Sequence, residues 1–313
     1  MRLLLVGCTG FVGRELVPHL LASGHQLTLV SRKPPQGFQS SPQQYELNWL
    51  QADVANPSSW QAEDLVEALA QAEGVVNLAG EPIAEQRWTS SHCQKLEDSR
   101  LVTTTALVQA MSQMDQPPKI FVSGSAVGYY GTSPDQHFSE TSPCGDDFLA
   151  RLCERWEAAA AAKPAAVRLL VVRIGIVLGP DGGALAKMLP VFRAGFGGPL
   201  GSGRQWMSWI HRTDLCQLIS NALEDQAWSG VVNAVAPEPV SMAAFAAALG
   251  KTLGRPSLLP VPGPLLKVLL GDGSRVVLEG QQVSSDRLAG LGFRFRYPDL
   301  CQALAAATSP KPH

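Results

Sequence analysis

Short apolar runs and amphipathic stretches alternate through the first two thirds of the chain. Leu3 to Val6, Leu27 to Val30, Tyr45 to Trp49, Val75 to Leu78, Ile120 to Val122 and Leu169 to Ile174 are brief, apolar and often β-branched. Continuous runs of this length predict parallel strands covered on both faces. Between them, Val12 to Ala22, Ala62 to Ala72, Trp88 to Met114 and Asp147 to Ala162 read as helices. In the last of these, Phe148, Leu149, Leu152, Cys153 and Trp156 make one apolar stripe. Asp146 or Asp147 supplies its N-cap and Pro164 ends it. Pro18 falls inside the first helix and predicts a kink there. Strands alternating with helices predict right-handed βαβ units, hence an α/β chain with a Rossmann-type doubly wound parallel sheet.

After Ile174 the pattern changes. Residues from about 179 to 208 are dense in glycine and predict a loop-rich insertion. A helix from Asp214 to Leu223 and a strand from Val231 to Ala234 follow. Beyond Pro237, short helices are interrupted by Pro256, Pro260, Pro262 and Pro264. The expected division is a dinucleotide-binding domain over residues 1–235, carrying the insertion, and a smaller C-terminal substrate lobe over 236–313.

Composition narrows the function. With 313 residues and 45% apolar content the chain can bury a large core, and at 17% charged and net −2 it lacks the basic excess of a nucleic-acid binder. Its six cysteines (Cys8, Cys93, Cys144, Cys153, Cys216 and Cys301) form no CxxC and no zinc-like cluster with histidine, so no metal is expected. Scattered thiols point to a reducing, cytoplasmic setting. No apolar run approaches the roughly 20 residues of a membrane span.

The chemistry begins at Gly7-Cys8-Thr9-Gly10-Phe11-Val12-Gly13, directly after the first strand and opening the first helix. Glycines here permit a tight turn, close approach of backbone N–H groups to a pyrophosphate, and helix-on-strand packing. Thr9, Phe11 and Val12 complete the loop. The second strand ends without a carboxylate and continues as Ser31-Arg32-Lys33. Ser31 and Arg32 therefore favour the 2′-phosphate of NADP(H) over the free ribose hydroxyl of NAD. The turn after the fourth strand, Asn77-Leu78-Ala79-Gly80, places Leu78, Ala79 and Gly80 where a ligand meets the carboxyl ends of the strands.

These segments resemble an atypical or extended short-chain dehydrogenase/reductase. Within that family they are similar to the nucleotide-sugar-epimerase-like branch with a small C-terminal domain of its own. VNLAGEPI, Arg87-Trp88, SAVGYYG, VVRIGIVLG, WIHRTD and GFRFRYPDL carry the likeness over nearly the whole chain. The resemblance implies an NADP(H)-dependent oxidoreductase or epimerase acting on a small, sugar-like molecule between sheet and lobe. It also implies a Tyr-x-x-x-Lys pair on the helix after the fifth strand, which this chain lacks. Aligned on Glu157, Leu149 stands for the Tyr and Cys153 for the Lys. Leu has no proton to give, and Cys has no fixed positive charge.

Substitutes are Ser125, Tyr129 and Tyr130 at the end of the fifth strand, with Ala126 taking the serine position in the alternative register. Arg155 lies two residues past Cys153, and Lys95 and Arg100 lie on the long helix. Arg155 is the candidate for the missing cation, and Lys95 and Arg100 are candidates to line a cofactor groove. For substrate, the candidates are Arg173, a cation inside an apolar strand, Arg204 in a glycine loop, and His211 in the WIHRTD stretch. Two functions remain open. One is an oxidoreductase or epimerase with an unusual proton relay. The other is a non-catalytic NADP(H)-binding sensor or interaction protein. A second copy of the chain or another protein is a conceivable partner.

Overall fold

A computed structural model describes residues 1–34 and 47–309. The first half runs β1 (Arg2–Val6), α1 (Gly13–Ala22), β2 (Gln26–Ser31), β3 (Leu47–Gln51), α2 (Glu63–Gln71), β4 (Gly74–Asn77), α3 (Ser90–Ser112) and β5 (Ile120–Ala126). Then come β6 (His137–Phe138), α4 (Phe148–Ala161), β7 (Arg168–Ile174), β8 (Ile176–Leu178), α5 (Gly183–Arg193), β9 (Trp206–Met207), β10 (Trp209–His211), α6 (Arg212–Glu224) and β11 (Gly230–Ala234). Seven strands make one parallel sheet in the order β3-β2-β1-β4-β5-β7-β11. The order reverses between β1 and β4, which opens the crevice where such sheets take ligands. The third strand was expected from Tyr45, which lies outside the described residues; the strand there runs Leu47–Gln51.

The sheet forms here because its strands are apolar on both faces. In β1, Leu3 and Leu5 enter a core with Leu16, Leu20, Leu215 and Ile219 from α1 and α6. Leu4 and Val6 enter the opposite core with Leu65, Leu69, Leu107 and Met111 from α2 and α3. Continuous apolarity follows from this two-sided burial. Two of the helices start where the chain offers a side-chain acceptor: Thr89 takes the His92 N–H ahead of α3, and Asp147 takes the Ala150 N–H ahead of α4. α1 continues through Pro18, which lies on its exposed side.

The glycine-rich stretch is not all loop. It contains α5, eleven residues long, with Leu185, Leu189 and Phe192 buried at helical spacing. Its surrounding glycines masked that period. The C-terminal region follows as β12 (Val240–Ser241), α7 (Met242–Leu253), α8 (Gly263–Leu270), α9 (Arg275–Leu278), β13 (Gln282–Val283), α10 (Asp286–Gly290) and α11 (Leu300–Thr308). A third core joins Leu178, Leu185, Phe192 and Trp209 to Met242, Phe245 and Leu249 of α7 and Leu304 of α11. The stretch assigned to the first domain thus shares its core with the C-terminal helices. Two small ladders reinforce the link, β9 with β12 and β6 with β13.

Asp214, in the first turn of α6, fastens the end of the chain to the sheet. Its two carboxylate oxygens accept the backbone N–H groups of Arg296 at 2.7 Å and Tyr297 at 3.1 Å. Burial pushes its pKa up, and these two bonds oppose the push. Asp214→Ala leaves two amides without partners, so urea unfolding should show a loss of roughly 2–4 kcal/mol.

Candidate functional site

The three glycines of the first loop do different work. Gly7 has φ 73°, and a Cβ there would sit 2.3 Å from the Ala79 nitrogen. Gly13 packs α1 on β1 so closely that a Cβ would fall 1.7 Å from the Cys8 carbonyl oxygen. Gly10 is exposed, and a Cβ on it would meet nothing nearer than the Gly7 oxygen at 4.0 Å. Two glycines serve the fold; the third keeps open the space in front of α1. No side chain caps α1; the N–H groups of Arg14, Glu15 and Leu16 donate to the carbonyls of Gly10 and Val12, while that of Gly13, the first helical residue, is left for an anion at the helix start. Those features fit the diphosphate of a dinucleotide.

Phe11 holds the loop in place. Its ring faces the Arg212 guanidinium at 4.7 Å, and Gly179, Gly182 and Gly183 pack against it so tightly that a Cβ on any of them would press on the ring. Arg212 also donates to Glu15 at 2.6 Å and to the Phe11 carbonyl at 3.1 Å, and the Thr213 hydroxyl donates to the other Glu15 oxygen. Thr9 and Val12 are half-buried in the same loop. Ser31 accepts from the Trp49 indole at 3.0 Å and donates to the Lys33 carbonyl at 2.7 Å, which shapes the turn and leaves the Arg32 side chain exposed. On the β4 side, Asn77 is fully buried, donates to Thr104 at 3.0 Å and accepts from Ala79 N–H. Leu78 is half-buried beside it, and Gly80 abuts Arg100. Arg100 is spent on the carbonyls of Leu96 and Glu81 and lies 5.3 Å from the Trp156 ring. Lys95 points into solvent.

At the carboxyl ends of β5, β7 and β11 the polar side chains form one closed network. Arg173, 3% exposed, donates from Nε and Nη2 to both oxygens of Glu157, each at 2.8 Å. Ser125 donates to the same carboxylate at 2.6 Å. The remaining Arg173 nitrogen donates to the Tyr130 hydroxyl at 2.9 Å, and Tyr130 donates to Asn233 Oδ1 at 2.6 Å. Asn233 in turn donates its backbone N–H to Glu140 and its amide to the Ser284 carbonyl. The guanidinium also lies 3.4 Å from the centre of the Tyr129 ring. Burial pushes the phenols of Tyr129 and Tyr130 upward, and the nearby guanidinium only partly offsets this.

Leu149 and Cys153 lie on the face of α4 that ends in Glu157, four residues apart each time. Leu149 packs near Gly128, and burial pushes the Cys153 thiol up to about 12, far from reactivity near neutral pH. Arg155 points away from this face, half-exposed and ion-paired with Glu97 of α3. Arg204 is exposed on its glycine loop. His211 is not in a cleft. It is 3% exposed, accepts the Thr213 N–H on Nδ1 as N-cap of α6, and packs its ring 4.1 Å from Tyr297. The structure therefore brings Ser125, Tyr129, Tyr130 and Arg173 together and leaves Arg155, Arg204 and His211 apart. Glu157, Glu140, Asn233 and Glu15 were missed. Glu157 had a visible signal: it is a charge at i+4 from Cys153 on an otherwise apolar stripe.

The sequence profile of the NAD dependent epimerase/dehydratase family matches residues 3–234. The chain belongs to that family. A second profile, a domain of unknown function (DUF1731), matches residues 261–307. Among epimerase-family relatives, the chloroplastic SDR39U1 homolog of Arabidopsis thaliana is 42% identical over 98% of this chain and 86% of its own length. The crystal structure of human epimerase family protein SDR39U1 (isoform2) with NADPH superposes with TM-score 0.87 at 38% identity, covering 98% of this chain and 99% of that one. A Corynebacterium glutamicum nucleoside-diphosphate sugar epimerase matches at 32% identity and TM-score 0.73, over 98% of this chain and 58% of its own.

Burial lowers the His211 pKa to about 4 in the folded epimerase-family chain. Unfolded, it returns to roughly 6.5, so between those values the unfolded chain binds more protons. Stability is complete above about pH 6.5 and falls toward pH 4, by roughly 3 kcal/mol from this group. His211→Asn keeps an N-cap acceptor without a titrating ring. Chemical unfolding across pH 4–7 should give a flatter profile for that variant than for the unaltered protein.

Proposed function

We propose that the chain is an NADP(H)-binding protein that holds the dinucleotide without the proton relay of active short-chain enzymes, and so acts as a cofactor-responsive binding protein in a reducing compartment such as the cytoplasm. One observation carries this reading: the Ser125–Glu157–Arg173–Tyr130–Asn233 network is closed on itself. Each member already has a protein partner, and the positions where a proton donor and a fixed cation belong hold Leu149 and Cys153. NADP(H) as ligand is supported by the open space at Gly10, by the exposed Arg32 after β2, and by the NADPH in the human SDR39U1 structure. When bound, the dinucleotide supplies a nicotinamide able to give or take a hydride. The chain's own residues bind its diphosphate, engage the 2′-phosphate through Arg32 on the turn that Ser31 shapes, and line the carboxyl end of β5. The six thiols are unpaired, in keeping with a reducing setting.

Calorimetry should give NADPH an advantage over NADH of roughly ten- to hundredfold, since a charge-assisted contact is worth about 1.5–3 kcal/mol. Arg32→Asp should invert that preference, and equal affinities in the unaltered protein would remove the NADP(H) assignment. Gly10→Val should abolish NADPH binding while leaving the circular dichroism spectrum intact.

With NADPH bound, carbonyl compounds and UDP-sugars should be turned over slowly or not at all, because general acid–base help of about 10²–10⁴-fold is missing. Rapid turnover lost in Tyr129→Phe would replace the binding reading with that of an oxidoreductase or epimerase on a small sugar-like substrate.

A further inference from the structure

Seven of the eight large apolar side chains exposed among the described residues lie on neighbouring segments, which makes a chance scatter a poor account of them. Val191 lies in the last turn of α5, and Phe196, 64% exposed, donates its N–H to the Val191 carbonyl. Gly197 and Pro199 bond through the backbone to Leu259 and Val261, which brings Leu258, 82% exposed, and Leu259 alongside Phe196. Two residues after Val261 begins α8, a helix with no buried residue, on which Leu265, Val268 and Leu269 are all at least half exposed. An apolar surface of this kind marks an interaction site.

The charges on the same segments are all of one sign. Residues 182–213 and 239–271 contain no Asp or Glu, although the whole chain is net negative. Besides the buried, ion-paired Arg212 they carry Lys187, Arg193, Arg204, Lys251, Arg255 and Lys267, all exposed. Among the described residues no carboxylate lies within ion-pair distance of any of these six exposed cations. Arg193 and Arg255 line one cavity together with Thr252, Thr308 and Ser309, whose hydroxyls donate to carbonyls of their own helices, so the two guanidiniums are its free donors. Exposed apolar side chains bordered by cations without a direct ion-pair partner complement a layer of hydrocarbon under phosphate. A second copy of the chain fits poorly: a two-fold contact would set these cations against their own copies. No helix among the described residues is long and apolar enough to cross a bilayer, so the mode is attachment rather than insertion.

We propose that the face formed by α8, residues 196–200 and residues 255–259 docks the protein on anionic phospholipid membranes, with Arg193 and Arg255 taking a lipid phosphate and Phe196, Leu258, Leu265 and Val268 entering the acyl boundary. The proposal is independent of what the nucleotide cleft does.

The test is co-sedimentation of the full chain with phosphatidylcholine vesicles and with phosphatidylcholine–phosphatidylglycerol vesicles. The protein should bind the second and not the first, and lose binding as salt rises. Arg193→Gln with Arg255→Gln should weaken binding roughly thirtyfold, from about 1 kcal/mol per basic residue. Leu265→Ser with Val268→Ser should weaken it further, and both variants should bind NADPH as before, which shows that they are folded. Failure to bind anionic vesicles, equal binding to neutral ones, or full retention in both variants would overturn the proposal. So would a sedimentation equilibrium showing a dimer that Val268→Ser dissociates, since the face would then belong to a second copy.

Discussion

A guanidinium inside a parallel sheet must be neutralised where it stands, and much of the strand-end architecture answers to that demand. Arg173 sits in β7 between β5 and β11, where its neighbours by register are Ser125 and Asn233. Glu157 on α4 meets it with both oxygens. Once that pair is set, Ser125 has an acceptor, Tyr130 has a donor above and an acceptor below, and Tyr129 has a cation on its ring. Removing one partner of a buried pair typically costs about 3–5 kcal/mol, so the arrangement resists piecemeal change. Ser125 and Tyr130, which look catalytic by type, are consumed in holding this network, whereas Tyr129 joins it through its ring.

This distinction separates what was legible in the sequence from what was not. The strands were legible because two-sided burial leaves an unbroken apolar run, as in Leu3 to Val6. The helix at Phe148 was legible because its stripe and its Asp147 cap agree. The nucleotide loop was legible because glycine spacing reports backbone approach directly. Partners of polar side chains were not, because they depend on contacts between distant segments. Arg173 was recognised as needing a partner, yet Glu157 is supplied by a different element. His211 reads as a ligand in isolation and becomes an N-cap once Thr213 and Tyr297 are placed around it. Arg155 looked like a replacement cation, but successive helix positions face different directions and it turns toward Glu97. α5 was hidden because a glycine-dense neighbourhood lowers any helix expectation, and only the core it shares with α7 reveals it.

Charge tells a similar story at a larger scale. The net value of −2 describes a nearly balanced chain. The balance conceals segregation: acids are absent from both segments that build the α8 face. Bulk composition excludes a uniformly basic binder but carries no information about a local one, which must be found from the order of residues and the fold that juxtaposes them.

The clamp on Phe11 has a consequence for how the molecule assembles. The loop that would receive the diphosphate is written within the first 13 residues, while its supports arrive from Gly179 to Gly183 and from Arg212. The contact between Glu15 and Arg212 spans 197 positions of the chain. Closures of that length form late, because the entropy of the intervening chain must be given up first. A nascent chain therefore exposes its glycine fingerprint long before it owns a rigid cradle, and competence to hold a nucleotide is a property of the finished molecule rather than of the N-terminal βα units that display the motif.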